Sequence, residues 1–212
     1  MTPQQQFQDA LRQLPLVSIL RGLTPDAAAT IGCELVTCGW RVIEVPLNSP
    51  RPLDSIAALA AACPQALVGA GTVLTAAAVR NVHGAGGQLI VAPNFDPAVL
   101  REALRLGLVC LPGVLTPSEA FAALAAGADG LKLFPCEMIP PQAVRALRSV
   151  LGPDPLLLAV GGMSAHNMRA YRDAGASGFG IGSALYRPGM TAAQVRANAL
   201  QFVATLAGTI SA

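Results

Sequence analysis

One pattern constrains this chain more than any other: short apolar runs alternate with helical stretches eight times over. The runs fall at 16–20, 41–45, 66–70, 88–91, 108–111, 130–134, 156–160 and 178–181. A helical stretch follows each, at 24–38, 52–62, 75–84, 96–106, 116–126, 141–150, 164–173 and 191–206. Thr24-Pro25-Asp26 shows how such a stretch begins. The threonine caps the first turn, and the proline, its φ already near the helical value, takes the first helical position. Ahead of the first run, Phe7, Leu11 and Leu14 share a helical face, which predicts a short covering helix at the N-terminus. Strands that each hand over to a helix lie parallel, because a tight hairpin joins only antiparallel neighbours. Eight units in one run predict a closed (β/α)8 TIM barrel spanning 1–212 as a single domain. The alternative, an open doubly wound sheet, lacks its Gly-x-Gly-x-x-Gly signal after the first strand.

Charged residues make up only 12% of the 212, against 53% hydrophobic, so some of the surface must be apolar. A buried subunit interface is the simplest way to cover it. A net charge of +2 with no basic run gives no reason to expect nucleic acid. The uncharged stretch 55–79 is interrupted by Pro64, Gly69 and Gly71, and reads as helix, turn and strand rather than as a membrane span. The N-terminus lacks the basic-then-apolar order of a signal peptide. Five scattered cysteines fit free thiols in a reducing cytoplasm. His83 and His166 stand alone and no cysteine pair has zinc-ligand spacing, so no metal is expected.

In a barrel of this kind the chemistry sits at the C-terminal ends of the strands. Lys132 is the only lysine, and it lies in the apolar run Gly130-Leu131-Lys132-Leu133-Phe134-Pro135. Arginine stays charged, whereas a buried lysine can lose its proton and become a nucleophile. Glu44, between Ile43 and Val45 on the second strand, can meet it across a narrow barrel. Low polarity lowers the amine pKa and raises the carboxyl pKa, leaving a nucleophile beside a proton-transfer group, as Schiff-base chemistry requires. A static ion pair closing the barrel is the competing reading of the same two residues.

The last two strands end in Gly161-Gly162 and Gly180-Ile181-Gly182-Ser183. Glycine-rich loops at those positions bind phosphate through backbone N–H groups, with the Ser183 hydroxyl as a further donor; ordinary strand-to-helix turns are the alternative. Arg21, ending the first strand, suits a carboxylate or phosphate. Thr72, in Gly69-Ala70-Gly71-Thr72, either binds a carboxylate or belongs to a tight turn. Pro93 either shapes the rim or ends its strand. Cys136 reads as a small filler rather than a reactive thiol.

Several motifs occur together and in order: Ile19-Leu20-Arg21-Gly22, the run from Val42 to Pro50, Gly69-Ala70-Gly71-Thr72, Val91-Ala92-Pro93-Asn94, Leu131-Lys132-Leu133-Phe134-Pro135, Val160-Gly161-Gly162 and Gly180-Ile181-Gly182-Ser183. Through them the chain resembles, over nearly its whole length, the bacterial 2-keto-3-deoxy-6-phosphogluconate and -phosphogalactonate aldolases. The resemblance implies a cofactor-free class I aldolase, usually a homotrimer, acting on a small phosphorylated keto acid. Carried over by position, Lys132 would form the Schiff base and Glu44 would give and take protons. Arg21, Thr72, Pro93, Val160, Gly161, Gly162, Gly182 and Ser183 would bind substrate. The gluconate branch typically has Thr-Leu-Arg-Thr after the glutamate and a threonine where this chain has Val160. Pro46-Leu47-Asn48-Ser49 and Val160 resemble the galactonate branch instead. That branch would yield pyruvate and D-glyceraldehyde 3-phosphate. The competing readings are the gluconate epimer or both epimers as substrate, a different phosphate-binding barrel enzyme, and a non-catalytic barrel that binds sugar phosphates.

Overall fold

The structure, a computed structural model, describes residues 1–210. In chain order its elements are α1 (Pro3–Gln13), β1 (Leu16–Ile19), α2 (Pro25–Thr37), β2 (Val42–Pro46), α3 (Pro52–Ala62), β3 (Leu67–Gly71), α4 (Ala76–Gly84), β4 (Leu89–Val91), α5 (Pro97–Arg105), β5 (Val109–Leu111), β6 (Gly113–Val114), α6 (Pro117–Ala125), β7 (Leu131–Leu133), α7 (Pro141–Leu151), β8 (Leu157–Val160), α8 (Met168–Asp173), β9 (Gly178–Ile181) and α9 (Ala192–Ile210). The strands pair in the order β5-β4-β3-β2-β1-β9-β8-β7-β6, all parallel.

The two ends of that order, β5 and β6, are neighbouring pieces of one barrel strand, so the sheet curls into a ring. β5 pairs with β4, as Val109 with Leu89. β6 pairs with β7, as Gly113 with Lys132. Between them stands Pro112, which has no N–H for the ladder but whose carbonyl accepts from the Lys132 N–H at 2.9 Å. Lower down, the Cys110 N–H donates to Asp129 Oδ2 at 2.8 Å and the Asp129 N–H donates to the Cys110 carbonyl at 3.2 Å. The sequence placed the end of the fifth strand at 111; pairing in fact resumes past the proline. A second difference lies in the seventh helix, expected over 164–173 but formed only as Met168–Asp173. The Asn167 side chain accepts from the Ser164 N–H at 2.9 Å and donates to the Gly162 carbonyl at 2.9 Å. That local turn competes with the first helical turn.

The inside of the ring has two unlike ends. At the strand starts, Val17, Val42, Leu67, Leu89, Val109 and Leu158 form an apolar cluster closed by Phe7, Ala10 and Leu11 of α1. α1 begins with a capping box, Thr2 Oγ1 accepting from the Gln5 N–H and Gln5 Oε1 accepting from the Thr2 N–H. Further along the same strands the inward positions become Ile19, Glu44, Lys132, Val160 and Gly180. Outside the ring, the helices pack on the strands through a larger apolar cluster that includes Trp40, edge-on to Phe202. No helix among the described residues is long and apolar enough to cross a membrane.

Candidate active site

A cavity of about 410 Å³ opens at the C-terminal ends of the strands, a size suited to a small metabolite. Eight of the residues singled out in the sequence line it: Arg21, Glu44, Lys132, Val160, Gly161, Gly162, Gly182 and Ser183. Thr72 and Pro93 are not among its walls. Thr72 stands one residue past β3 with φ 57°, a left-handed conformation that a β-branched residue adopts only under strain. Pro93 packs its backbone against Gly113 on the rim of the ring.

Glu44 sits mid-strand in β2, between Ile19 of β1 and Gly69 of β3. It is 2% exposed. Gly71 makes room for it: a β-carbon there would overlap the Glu44 carboxyl, so this close approach requires glycine. Burial pushes the carboxyl up from 4.5 to about 7, while the charges of Lys132 and Arg21 and the Gly71 backbone pull it down. Glu44 Oε2 is buried without a hydrogen-bond partner.

Lys132 is the middle residue of β7 and is 7% exposed. Its Nζ rests 4.5 Å from the centre of the Phe134 ring, two residues along on the same face of the strand. Burial lowers its pKa, Glu44 opposes that shift and Arg21 adds to it. An amine poised toward its neutral form and a carboxyl titrating near neutrality thus face one water-accessible cavity.

Around this pair, loops tie the walls together. Arg21 Nη1 donates to Asn48 Oδ1 at 2.6 Å, and the Gly22 N–H donates to Ser49 Oγ at 2.9 Å. The loops after β1 and β2 are therefore fastened side by side, aiming Arg21 into the cavity. On the far wall, Gly161 and Gly162 take φ values of 110° and 60°, open to glycine but costly for other residues. The Glu137 carboxylate lies against the bare Cα of Gly161. Cys136 is buried, donates Sγ–H to the Leu133 carbonyl at 3.3 Å, and has its thiol pushed up to about 11 by burial, which suits a filler.

Asn48, Phe134, Tyr186 and Arg187 also line the cavity, although the sequence did not single them out. Asn48 had a signal, since it stands where the related branch carries arginine. Arg187 had a weaker one: it lies four residues past Ser183 on the same loop.

A buried lysine and glutamate share a cavity at the C-terminal end of a parallel barrel, beside paired glycine loops, the arrangement a lyase of the class I aldolase type would use. The chain belongs to the aldolase family described as KDPG and KHG aldolase, whose model matches residues 7–203. Within it, a probable 2-dehydro-3-deoxy-6-phosphogalactonate aldolase of Rhizobium meliloti (strain 1021) is 48% identical over 194 residues, 91% of this chain and 90% of its own length. The 2-dehydro-3-deoxy-6-phosphogalactonate aldolase of Escherichia coli (strain K12) is 43% identical, over 90% of this chain and 94% of its own. A solved native KDPGal structure superposes with a TM-score of 0.91 at 41% identity, covering 94% of this chain and 98% of the other. A 2-dehydro-3-deoxy-phosphogluconate aldolase of Haemophilus influenzae is 31% identical over 79% of both chains.

Proposed function

We propose that this enzyme cleaves 2-dehydro-3-deoxy-6-phosphogalactonate to pyruvate and D-glyceraldehyde 3-phosphate through a Schiff base on Lys132. One observation carries the mechanism: the buried amine and the buried carboxyl line one cavity at the C-terminal ends of the strands. Neutral Lys132 adds to the C2 ketone, and loss of water from the carbinolamine leaves an iminium. Glu44 as carboxylate takes the C4 hydroxyl proton while the C3–C4 bond breaks. Its electron pair flows into the iminium, releasing the aldehyde and leaving an enamine. Glu44 returns the proton to C3, and water hydrolyses the imine to free pyruvate and lysine. A carboxyl titrating near 7 suits both roles at neutral pH.

Arg21 serves the substrate's anionic groups, and the loops of Gly161, Gly162, Gly182 and Ser183 cradle its phosphate. Val160 presents an apolar surface to the cavity and favours the galactonate epimer; the identities of 48% and 43% to galactonate enzymes, against 31% to the gluconate enzyme, support the same choice. Thr72 and Pro93, just past the ends of β3 and β4, add substrate contacts at the same end of the ring. We further place the protein in the cytoplasm, consistent with its free cysteines, as one domain assembled into a homotrimer. The exposed side chains of Leu115, Phe121, Met138 and Val150, which line one apolar groove, support burial between subunits. A coupled pyruvate assay on both purified C4 epimers tests the function. Faster turnover of the galactonate form is expected; faster turnover of the gluconate form overturns the choice of substrate, and no pyruvate from either overturns the lyase.

A further inference from the structure

Two arginines line the cavity, on the loops that follow the neighbouring strands β1 and β9. Arg21 acts on the chemistry: its charge is felt by both Glu44 and Lys132. Arg187 is tied to the glycine loops. Its Nε–H donates to the Ser183 carbonyl at 2.9 Å, on the loop that carries Gly182 and Ser183. That bond occupies the Nε edge of the guanidinium, so the two Nη groups remain as a fork on a residue that lines the cavity. A fork of this shape matches two oxygens of a phosphate.

The local charge also calls for a cation. Glu137 sets its carboxylate against Gly161 and Gly162, so a negative charge already lies within the walls that carry the glycine loop. Pro188, the residue after Arg187, packs against Gly22 of the neighbouring β1 loop, so the segment bearing Arg187 is held beside the loop that carries Arg21.

We infer that Arg187 is the charged partner of the substrate's phosphate and sets the enzyme's preference for phosphorylated over unphosphorylated 2-keto-3-deoxy acids. This rests on the aldolase reading above. Arg187→Ala is expected to raise KM for the phosphorylated substrate roughly ten- to a hundredfold, with kcat changing less. Its kcat/KM for the unphosphorylated acid stays within about twofold of wild type, because no phosphate contact exists there to lose. Arg187→Lys, which keeps the charge but not the fork, falls between. Inorganic phosphate, as a competitive inhibitor, weakens in parallel.

Equal losses on both substrates would reduce Arg187 to a structural brace and overturn the inference, as would an unchanged KM and an unchanged phosphate inhibition constant. If Arg187→Ala unfolds, Arg187→Lys and Arg187→Gln carry the same comparison. Borohydride trapping of pyruvate separates the two claims. Trapping that persists in wild type and variant leaves the aldolase standing while Arg187 is judged on phosphate alone; its absence in wild type removes the aldolase reading, and then only the inorganic-phosphate result can keep Arg187 as an anion contact.

Discussion

The two ends of the barrel interior are built from the same strands and serve opposite purposes. At the start of the strands, Val17, Val42, Leu67, Leu89 and Val109 meet Phe7 and Leu11 in an entirely apolar plug. Two residues further along β2, the inward position is Glu44, and across the ring Lys132 takes the corresponding place on β7. The plug gains from every buried methyl group. The upper end buries a carboxyl and an amine, and drawing either charge out of water costs stability. The lesson is that stability is concentrated where no chemistry occurs, and that the reactive pair is tolerated because the plug beneath it is sound.

That contrast breaks first at Lys132. Lys132→Met should lower kcat/KM by about a thousandfold or more, since no other amine stands in the cavity to form the imine. It should also raise stability by about 1–2 kcal/mol at pH 6, where Glu44 can stay protonated. Denaturant melts and steady-state rates on the same preparation check both halves. Phe7→Ala should do the reverse. It empties a fully buried site and should cost about 3 kcal/mol, while KM and kcat of the folded fraction stay near wild type.

Glu44 sharpens the comparison through pH. Its folded pKa is raised from 4.5 to about 7, so the folded state holds a proton that the unfolded state releases. Wild-type stability therefore falls as pH rises through that window. Glu44→Gln cannot ionise, so it should lack this fall and exceed wild type by on the order of 2 kcal/mol at pH 8, with the gap closing toward pH 4. Its aldol cleavage should be nearly lost. Arg21→Gln gives a smaller effect: removing that cation should move the titrations of both Glu44 and Lys132 upward, seen as a displaced pH–rate profile. Val160→Thr should be the mildest change, shifting the ratio of rates on the two epimers toward gluconate by about tenfold or less.

Much of this was readable in the sequence because period and chemistry are local. Strand–helix alternation does not depend on distant contacts, so the ring could be drawn from it. Lys132 and Glu44 stood out because an ionisable residue within an apolar run has few structural uses. What could not be read depended on partners across turns. Pro112 suggested the end of a strand, and only the geometry of β7 shows its carbonyl still in the ladder. Asn167 shortens α8 through its own side-chain turn. Thr72 and Pro93 carry the right motifs, but the left-handed backbone at Thr72 and the packing of Pro93 against Gly113 are visible only in the folded chain. Arg187 lies outside every motif, and its place beside Ser183 follows from one hydrogen bond.

The most direct measurement is to incubate the protein with pyruvate and borohydride and map the modified residue by peptide mass. The account predicts one stable adduct, on Lys132, absent from Lys132→Met and reduced but still present in Glu44→Gln. A protein that stays unmodified while pyruvate is demonstrably released, or an adduct on any other nitrogen such as the N-terminal amine, would contradict it.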